Sequence, residues 1–277
     1  MDKKLELLCD YKNILGECPY YKDGIISWVD IVGKKLCILN NELKIVEFNE
    51  KISAAIPLSS EGYIVFGEKT IYFYKENSIK EYIKLDNIMK DGMRPNDAKV
   101  DKKGRIWFST MMDDGISESE GALYCLNDNK IIFQENTKLG NGLAWNKKND
   151  KFYYIDSILH KVYVYDYDLE NGIISNKKVL FELKDGTPDG MTIDDNDNLF
   201  VAVWGGRRIE IRSSISGELL DTIHIPTELV TSCAFANNEY NDLIITTASL
   251  DKKDEYAGKV YKINLKYQGR KENFYKL

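Results

Sequence analysis

The sequence predicts an all-β protein, a single six-bladed β-propeller domain over residues 1–277. Three observations predict this fold: one sequence motif recurs six times, every copy begins with the pattern of a β-hairpin, and the six copies occupy nearly the whole chain. Successive copies begin 37 to 48 residues apart, and a four-stranded repeat of about 40 to 50 residues is typical of a propeller blade. The residues that lead the six copies are Glu17, Ala54, Asn96, Asn141, Asp189 and Ser232.

The pattern of each copy predicts a strand, a turn and a second strand. Small or apolar residues stand two and four places after the leading residue, which is the alternation of a half-buried strand. A polar gap such as KKGR or KKND then marks a turn, and a second apolar run marks the partner strand. The rest of each copy has room for two further short strands. The large apolar residue eleven places after the leading residue is Trp28, Val65, Trp107, Phe152, Phe200 or Leu243 in successive copies.

A ring of blades has to close on itself. The apolar run Leu5–Cys9 is well placed to add an outer strand to the last blade, which begins near Ser232. The sequence therefore predicts that both ends of the repeat array meet in one blade. The basic stretch 266–277 has two interpretations: it completes the final blade, or it is disordered.

The composition predicts a globular protein that binds neither nucleic acid nor membrane. Apolar residues make up 43% of the chain and charged residues 30%, and the net charge of −6 comes without a basic stripe. The N-terminus lacks an apolar signal region, and no apolar stretch of 18 residues occurs. Five cysteines without paired spacing indicate buried reduced thiols. We therefore expect a cytoplasmic protein, with protein partners left open.

Several catalytic and metal-binding patterns are excluded. The chain has no GxSxG, HExxH or glycine-rich phosphate loop, and its two histidines, His160 and His224, stand outside the leading positions. Cys18 is disfavoured as a nucleophile because strand alternation would turn it away from Glu17. The residues at 194, 196 and 198 resemble half of an EF-hand loop, but Leu199 stands where that loop needs glycine, which favours a turn.

Four of the six leading residues carry oxygen donors. The innermost strands of a propeller line its central channel, so their equivalent residues converge on one mouth. Glu17, Asn141 and Asp189 would meet there with Asn96 close by, and such an oxygen site suits Ca²⁺, Mg²⁺ or Mn²⁺. Two carboxylates brought together without a cation would force one to take up a proton.

The alternative is that Asn141 and Asp189, each followed by glycine, are ordinary hairpin turns. The turn sequences proper lie later, at 147–150 and 194–198, so both residues are expected to head strands.

Six ordered strings resemble a known family. They are LGECP at 15–19, RPNDAKVD at 94–101, GRIWFSTM at 104–111, NGLAW at 141–145, FYYIDS at 152–157 and PDGM at 188–191. In this order the strings resemble the senescence marker protein 30, gluconolactonase and luciferin-regenerating enzyme family, and its regucalcin branch most closely. The resemblance covers most of the chain and agrees with the propeller that the repeat predicts.

The resemblance implies a role for particular residues. Glu17, Asn141 and Asp189 would hold one divalent cation, with Ca²⁺ expected and Mg²⁺, Mn²⁺ or Zn²⁺ as alternatives, and Asp189 would be the catalytic acid/base. Substrate contacts would come from Arg94, Asn96 and Asp114, although Asp113 is adjacent to the last. The alternative for Arg94 is packing over a turn against an aspartate. Three departures from the family pattern, Ala98, Gly140 and the short side chain of Asp114, affect the expected substrate.

The function that these residues predict is metal-dependent hydrolysis of a cyclic ester, a sugar aldonolactone. Asp189 would accept a proton from water and return it to the leaving hydroxyl. One alternative is a calcium-binding regulatory protein with little or no hydrolase activity. The other is a peptide-binding scaffold, which would not need the three metal-binding residues. The substrate arginine and asparagine favour the enzyme, because holding an ion does not require them.

Overall fold

The computed structural model describes residues 4–113, 120–250 and 253–277. Within them the chain is all-β, and its strands form six antiparallel four-stranded sheets. The predicted six-bladed propeller is confirmed. The strands are β1 (Leu5–Cys9), β2 (Gly16–Lys22), β3 (Ile25–Asp30), β4 (Lys35–Asn40), β5 (Glu42–Glu47), β6 (Ile52–Pro57), β7 (Tyr63–Gly67), β8 (Thr70–Lys75), β9 (Ser78–Lys84), β10 (Met93–Val100), β11 (Ile106–Met112), β12 (Gly121–Asn127), β13 (Lys130–Thr137), β14 (Gly140–Trp145), β15 (Lys151–Asp156), β16 (Lys161–Asp168), β17 (Ile173–Glu182), β18 (Thr187–Ile193), β19 (Asn198–Trp204), β20 (Arg208–Ser213), β21 (Leu219–His224), β22 (Val230–Ala236), β23 (Asp242–Thr247) and β24 (Val260–Asn264).

Blades I to V each use four consecutive strands, and their innermost strands are β2, β6, β10, β14 and β18. Blade VI contains β22, β23, β24 and β1. Strand β1 pairs antiparallel with β24, with Leu5 opposite Ile263. The predicted closure by Leu5–Cys9 is therefore confirmed, and the pairing joins the two ends of the repeat array in one sheet.

The repeated motif forms the innermost hairpin of every blade. Each of the six leading residues lies in the innermost strand of its blade, and neighbouring innermost strands pack against one another around the axis. The large apolar residues eleven places on lie in the second strands and have no exposed surface. They fill the space between sheets, so the same spacing that positions the leading residues also builds the core.

Every innermost strand carries a β-bulge at or next to its leading residue. In β10, Asn96 and Asp97 together oppose Ser109, and the ladder shifts register between Pro95 and Ala98. A bulge re-aims side chains, because two residues take the place of one. A bulge also lies at Cys18, which has φ of 49°, so regular alternation is not what orients its side chain. Cys18 nevertheless packs in the hydrophobic core while Glu17 lines the cavity, so Cys18 does turn away from Glu17 as expected.

The cysteines of the described residues form no disulfide bond. All five cysteines are free thiols; four are buried and Cys9 is partly buried. Burial raises the pKa of the Cys18 thiol well above its usual value, which keeps it unreactive.

Across residues 4–113, 120–250 and 253–277, no helix has the length and apolar character needed to cross a membrane.

The stretch 266–277 matches neither of its two interpretations. It adds no strand to blade VI, and it has defined contacts with the far ends of the innermost strands. Residues 268–275, which we name the floor segment, form bridges from Gly269 to Asp194 and from Tyr275 to Leu58. The floor segment therefore crosses the mouth of the channel opposite to the leading residues.

A buried carboxylate connects blades III and IV. Asp101 accepts hydrogen bonds from Arg105 Nε at 2.6 Å, from Tyr167 Oη at 2.6 Å and from Trp107 Nε1 at 3.2 Å. Its side chain has no exposed surface, and that of Arg105 is 5% exposed. A buried carboxylate is stabilising only while its partners remain charged and hydrogen-bonded.

Replacing Asp101 with asparagine should therefore lower the free energy of unfolding by about 3 kcal/mol, because it leaves Arg105 as a buried unpaired charge. Urea unfolding measures this change. The matched control is Asp128→Asn in the exposed turn between β12 and β13, which should change stability by less than about 0.5 kcal/mol. Equal losses in both variants would contradict the role of Asp101.

Candidate functional site

A cavity of about 290 Å³ opens where the innermost strands begin. Five of the six predicted site residues line it, so the structure brings them together as expected. The sixth, Asp114, lies outside the described residues. The lining residues are Leu15, Glu17, Ile31, Arg94, Asn96, Met111, Leu139, Asn141, Ser157, Thr187, Asp189 and Trp204.

Two carboxylates share this cavity. Glu17 comes from blade I and keeps part of its surface accessible, whereas Asp189 from blade V is 8% exposed. Burial raises the pKa of Glu17 to about 8, and the nearby charge of Asp97 raises it further. Burial also raises the pKa of Asp189 well above its usual value, with Glu17 adding repulsion. The pair is therefore costly to ionise unless a cation lies between them.

Asn141 is held in place by a serine. Its Nδ2 donates to Ser157 Oγ at 3.1 Å, and Ser157 Oγ donates to Pro188 O at 2.7 Å. A hydrogen bond from Asn141 also lowers the pKa of Asp189, against the effect of burial. Because the amide nitrogen serves as donor, the amide oxygen remains available as a ligand.

The donor set fits a hard divalent cation. Two carboxylates and one amide oxygen, from Glu17, Asp189 and Asn141, converge on one cavity, and hard cations prefer such oxygen ligands. The raised pKa values of both acids show that burial disfavours their charged forms, and a cation held between them would offset that cost. Within the described residues, His, Cys, Asp and Glu side chains form no group of three or more that could hold a metal. The amide of Asn141 is the third oxygen donor in the cavity.

The two glycines that follow Asn141 and Asp189 are required by strand packing. Asn141 and Asp189 lie in β14 and β18, so their assignment to strands is confirmed. A Cβ on Gly142 would lie 2.7 Å from Met191 Cβ, and one on Gly190 would lie 2.1 Å from Ser232 Oγ. Each glycine thus lets the next innermost strand approach closely.

The true turns lie where the sequence placed them. Asn149 N donates to Asn146 O at 2.9 Å and closes the turn after β14. Asp194 Oδ1 accepts from the backbone N–H groups of Asn196 and Asn198. The string that resembles half an EF-hand is therefore a turn, as predicted.

Arg94 both lines the cavity and pairs with an aspartate. Its Nε donates to Asp113 Oδ1 at 3.1 Å, and its Nη1 donates to Asn96 Oδ1 at 3.0 Å. Asp113 also pairs with Lys51 at 2.6 Å. Asn96 Nδ2 in turn donates to Gly140 O at 2.9 Å. The interpretation that Arg94 packs against an aspartate is correct, and the pairing fixes the guanidinium at the cavity wall.

Sequence reasoning missed two residues, Asp97 and Ser157. Burial raises the pKa of Asp97 to about 6, although Lys99 opposes this, and the charge of Asp97 reaches both Glu17 and Asp189. Both missed residues stand inside the strings RPNDAKVD and FYYIDS. Aligning the copies by one leading position could not select Asp97, because the bulge in β10 makes a second residue equivalent.

The departure at Gly140 has a physical reason. A Cβ there would lie 1.8 Å from Tyr154 Oη and 2.4 Å from Ser109 Cβ. Tyr154 and Ser109 thus occupy the space that a serine at position 140 would need. The wall beside Asn141 therefore has no room for a side chain at position 140.

The fold and the cavity define a class: six-bladed propellers with an oxygen-rich site at the mouth of the channel. The model of one family, described as the SMP-30/gluconolactonase/LRE-like region, matches residues 15–249. The chain therefore belongs to the SMP-30, gluconolactonase and luciferin-regenerating enzyme-like family, and the resemblance in the sequence strings is confirmed.

Individual relatives cover nearly the whole chain. The chain is 33% identical to a protein of Bacillus subtilis (strain 168) with the provisional name sugar lactone lactonase YvrE, over 97% of each. It is 32% identical to regucalcin of Danio rerio, over 92% of this chain and 90% of that protein. The solved structure of a luciferin-regenerating enzyme has a TM-score of 0.91 and 31% identity, over 99% of this chain and 100% of that chain. At a coarse level these relatives support a lactonase-type hydrolase.

Without a cation, the protein should lose stability as the pH rises from about 4.5 to about 8. Glu17 keeps its proton to about pH 8 in the folded state but releases it near 4.5 when unfolded. The folded state therefore binds more protons in this window, and raising the pH favours unfolding, by on the order of 3 kcal/mol. Urea unfolding with a chelator measures the slope. Glu17→Gln should make the slope shallower, with the remaining slope coming from Asp189. An unchanged slope in that variant would refute the assignment.

Proposed function

We propose that this protein is a metal-dependent lactonase that opens sugar aldonolactones with a water molecule. One observation carries the proposal: the two carboxylates and the amide oxygen share a cavity with Arg94 and Asn96. An ion-binding site alone has no use for the last two. A cavity of about 290 Å³ lies at the small end of ligand pockets, which suits a single sugar ring.

Glu17, Asn141 and Asp189 are the residues that would hold the cation. When bound, a divalent cation supplies Lewis-acid chemistry, polarising the lactone carbonyl and lowering the pKa of water. Ca²⁺ is the cation that we propose first, because all three donors are oxygens; Mg²⁺, Mn²⁺ and Zn²⁺ are the alternatives.

Asp189 is the proposed acid/base. Its carboxylate would accept a proton from the attacking water as the new C–O bond forms, and would return it to the ring oxygen as the ester C–O bond breaks. The protons balance, since one leaves the water and one reaches the leaving hydroxyl. Burial favours the protonated form of Asp189, which suits a group that has to hold a proton between these steps.

Arg94 and Asn96 would bind and orient the sugar. Arg94 is 7% exposed, and its bonds to Asp113 and Asn96 leave it little freedom to move. A donor that is held before the substrate arrives loses little entropy on binding, so it contributes orientation. Asp114 stays a prediction for a further substrate contact.

A calcium-binding regulatory protein is the second candidate. The two carboxylates and the amide of the cavity support this candidate as well as the enzyme, and one relative of the chain is named regucalcin. Cation binding without turnover would favour this candidate.

Asp189→Asn should abolish most lactone hydrolysis. We expect kcat to fall by about 10²-fold or more, because the proton acceptor is lost. The assay uses chelator-stripped protein with gluconolactone and other aldonolactones, before and after addition of Ca²⁺, Mg²⁺, Mn²⁺ or Zn²⁺. Asp23→Asn, in the β2–β3 turn at the opposite end of blade I, is the matched control. Wild-type protein that binds a cation tightly and opens no lactone would refute the proposal and leave the regulatory alternative.

Arg94→Met should raise KM for a lactone by about tenfold, while cation affinity stays within about twofold, because Arg94 orients substrate and is not a metal ligand. Lys51→Met is the matched control, since it removes the other partner of Asp113 and leaves the cavity wall intact. If both variants change KM equally, Arg94 acts only by fixing Asp113.

A further inference from the structure

The floor segment closes the channel at the end opposite to the cavity. It crosses the ring from blade VI to blade II and contacts a different blade at nearly every step. Its hydrogen bonds run from Gly269 N to Tyr240 O at 2.6 Å, from Arg270 Nη2 to Trp145 O at 2.8 Å, from Asn273 Nδ2 to Val100 O at 3.1 Å, and from Tyr275 N to Pro57 O at 3.1 Å.

One acidic side chain of the floor segment reaches the innermost strands. Glu272 Oε1 lies 2.8 Å from Lys99 Nζ on β10 and accepts a hydrogen bond from Thr192 Oγ1 on β18 at 3.3 Å. The side chain of Lys99 is 12% exposed and that of Glu272 is 22% exposed. The pair is therefore largely buried, and each charge depends on the other for compensation.

Lys99 also interacts with the charges above it. Burial lowers the pKa of Lys99, but Glu272 and, to a lesser extent, Asp97 raise it above its usual value. Asp97 and Lys99 both lie on β10, and Asp97 directly follows Asn96, which lines the cavity. Glu272 also bonds to Thr192 on β18, the strand that carries Asp189. The floor segment is therefore joined to two of the strands that form the cavity.

The signs of these charges determine how the Lys99–Glu272 pair affects a cation in the cavity. Lys99 is a positive charge beneath a cavity that has to attract a cation. If Glu272 were neutral, Lys99 would repel the cation and would draw on Asp97 for compensation. Glu272 cancels that charge, so Lys99 does not oppose a cation that Glu17 and Asp189 would hold.

We propose that Glu272 is a positioning residue for the cation site, which acts through Lys99 and makes the floor segment part of the electrostatics of that site. The inference rests on the proposed function, because it assumes that the cavity binds a divalent cation. It concerns affinity for the cation, and its test therefore needs no substrate.

The test is isothermal titration of chelator-stripped protein with Ca²⁺ and, separately, Mn²⁺. Glu272→Gln keeps the shape of the side chain and removes its charge, and we expect it to weaken cation binding by about fivefold or more. The double variant Lys99→Met with Glu272→Gln removes both charges and should return the affinity to within about twofold of the wild type.

Asn273→Ala is the matched control for a purely structural role. It removes the hydrogen bond to Val100 O without changing any charge, so cation affinity should stay within about twofold of the wild type. Thermal unfolding checks that every variant is folded at the titration temperature.

Each outcome is decisive. Unchanged affinity in Glu272→Gln, equal weakening in Asn273→Ala, or no recovery in the double variant would overturn the role of Glu272 and leave the lactonase proposal intact. Wild-type protein that binds no divalent cation would overturn the proposed function and this inference with it.

Discussion

The close approach of the innermost strands is the constraint on which the rest of the structure depends. Next to the cavity the strands lie too near for a side chain between them, so Gly142 and Gly190 have no substitute. Hydroxyl groups then join one blade to the next: Thr231 Oγ1 donates to Gly16 O at 2.6 Å, and Ser109 Oγ to Gly140 O at 2.7 Å. These short bonds fix the strand starts, and with them the side chains that face the cavity.

Because the innermost strands converge, their carboxyl groups lie close together at the mouth of the channel. Carboxylates that would be independent on an open sheet are forced to share one small buried volume, and their pKa values rise as a result. The protein balances the charge at its edges, with Arg94 held by Asp113 at the upper mouth and Lys99 held by Glu272 at the lower one. Inside the channel, Glu17 and Asp189 would lose their protons when a bound cation offsets the cost of burying their charges.

The sequence reveals much of this arrangement, and the reasons for the gaps are physical. Hydrophobic alternation is local, so the repeat located six blades, and topology alone required Leu5–Cys9 to close the ring. A bulge has no fixed sequence signature, and Asp97 was missed for that reason. The contact of Asn273 with Val100 joins residues far apart in sequence, and no local pattern could have placed the floor segment. Asp114 lies outside the described residues, so its role stays a prediction.

The glycines beside Asn141 and Asp189 have a consequence for the chemical lifetime of the protein. In a mobile chain, Asn-Gly and Asp-Gly are the dipeptides most prone to spontaneous deamidation and isomerisation, because the following backbone nitrogen can swing round to attack the side chain. In β14 and β18 that nitrogen belongs to a buried strand, and Ser157 holds the Asn141 amide. The packing that forms the ring therefore also protects two chemically fragile residues from ageing.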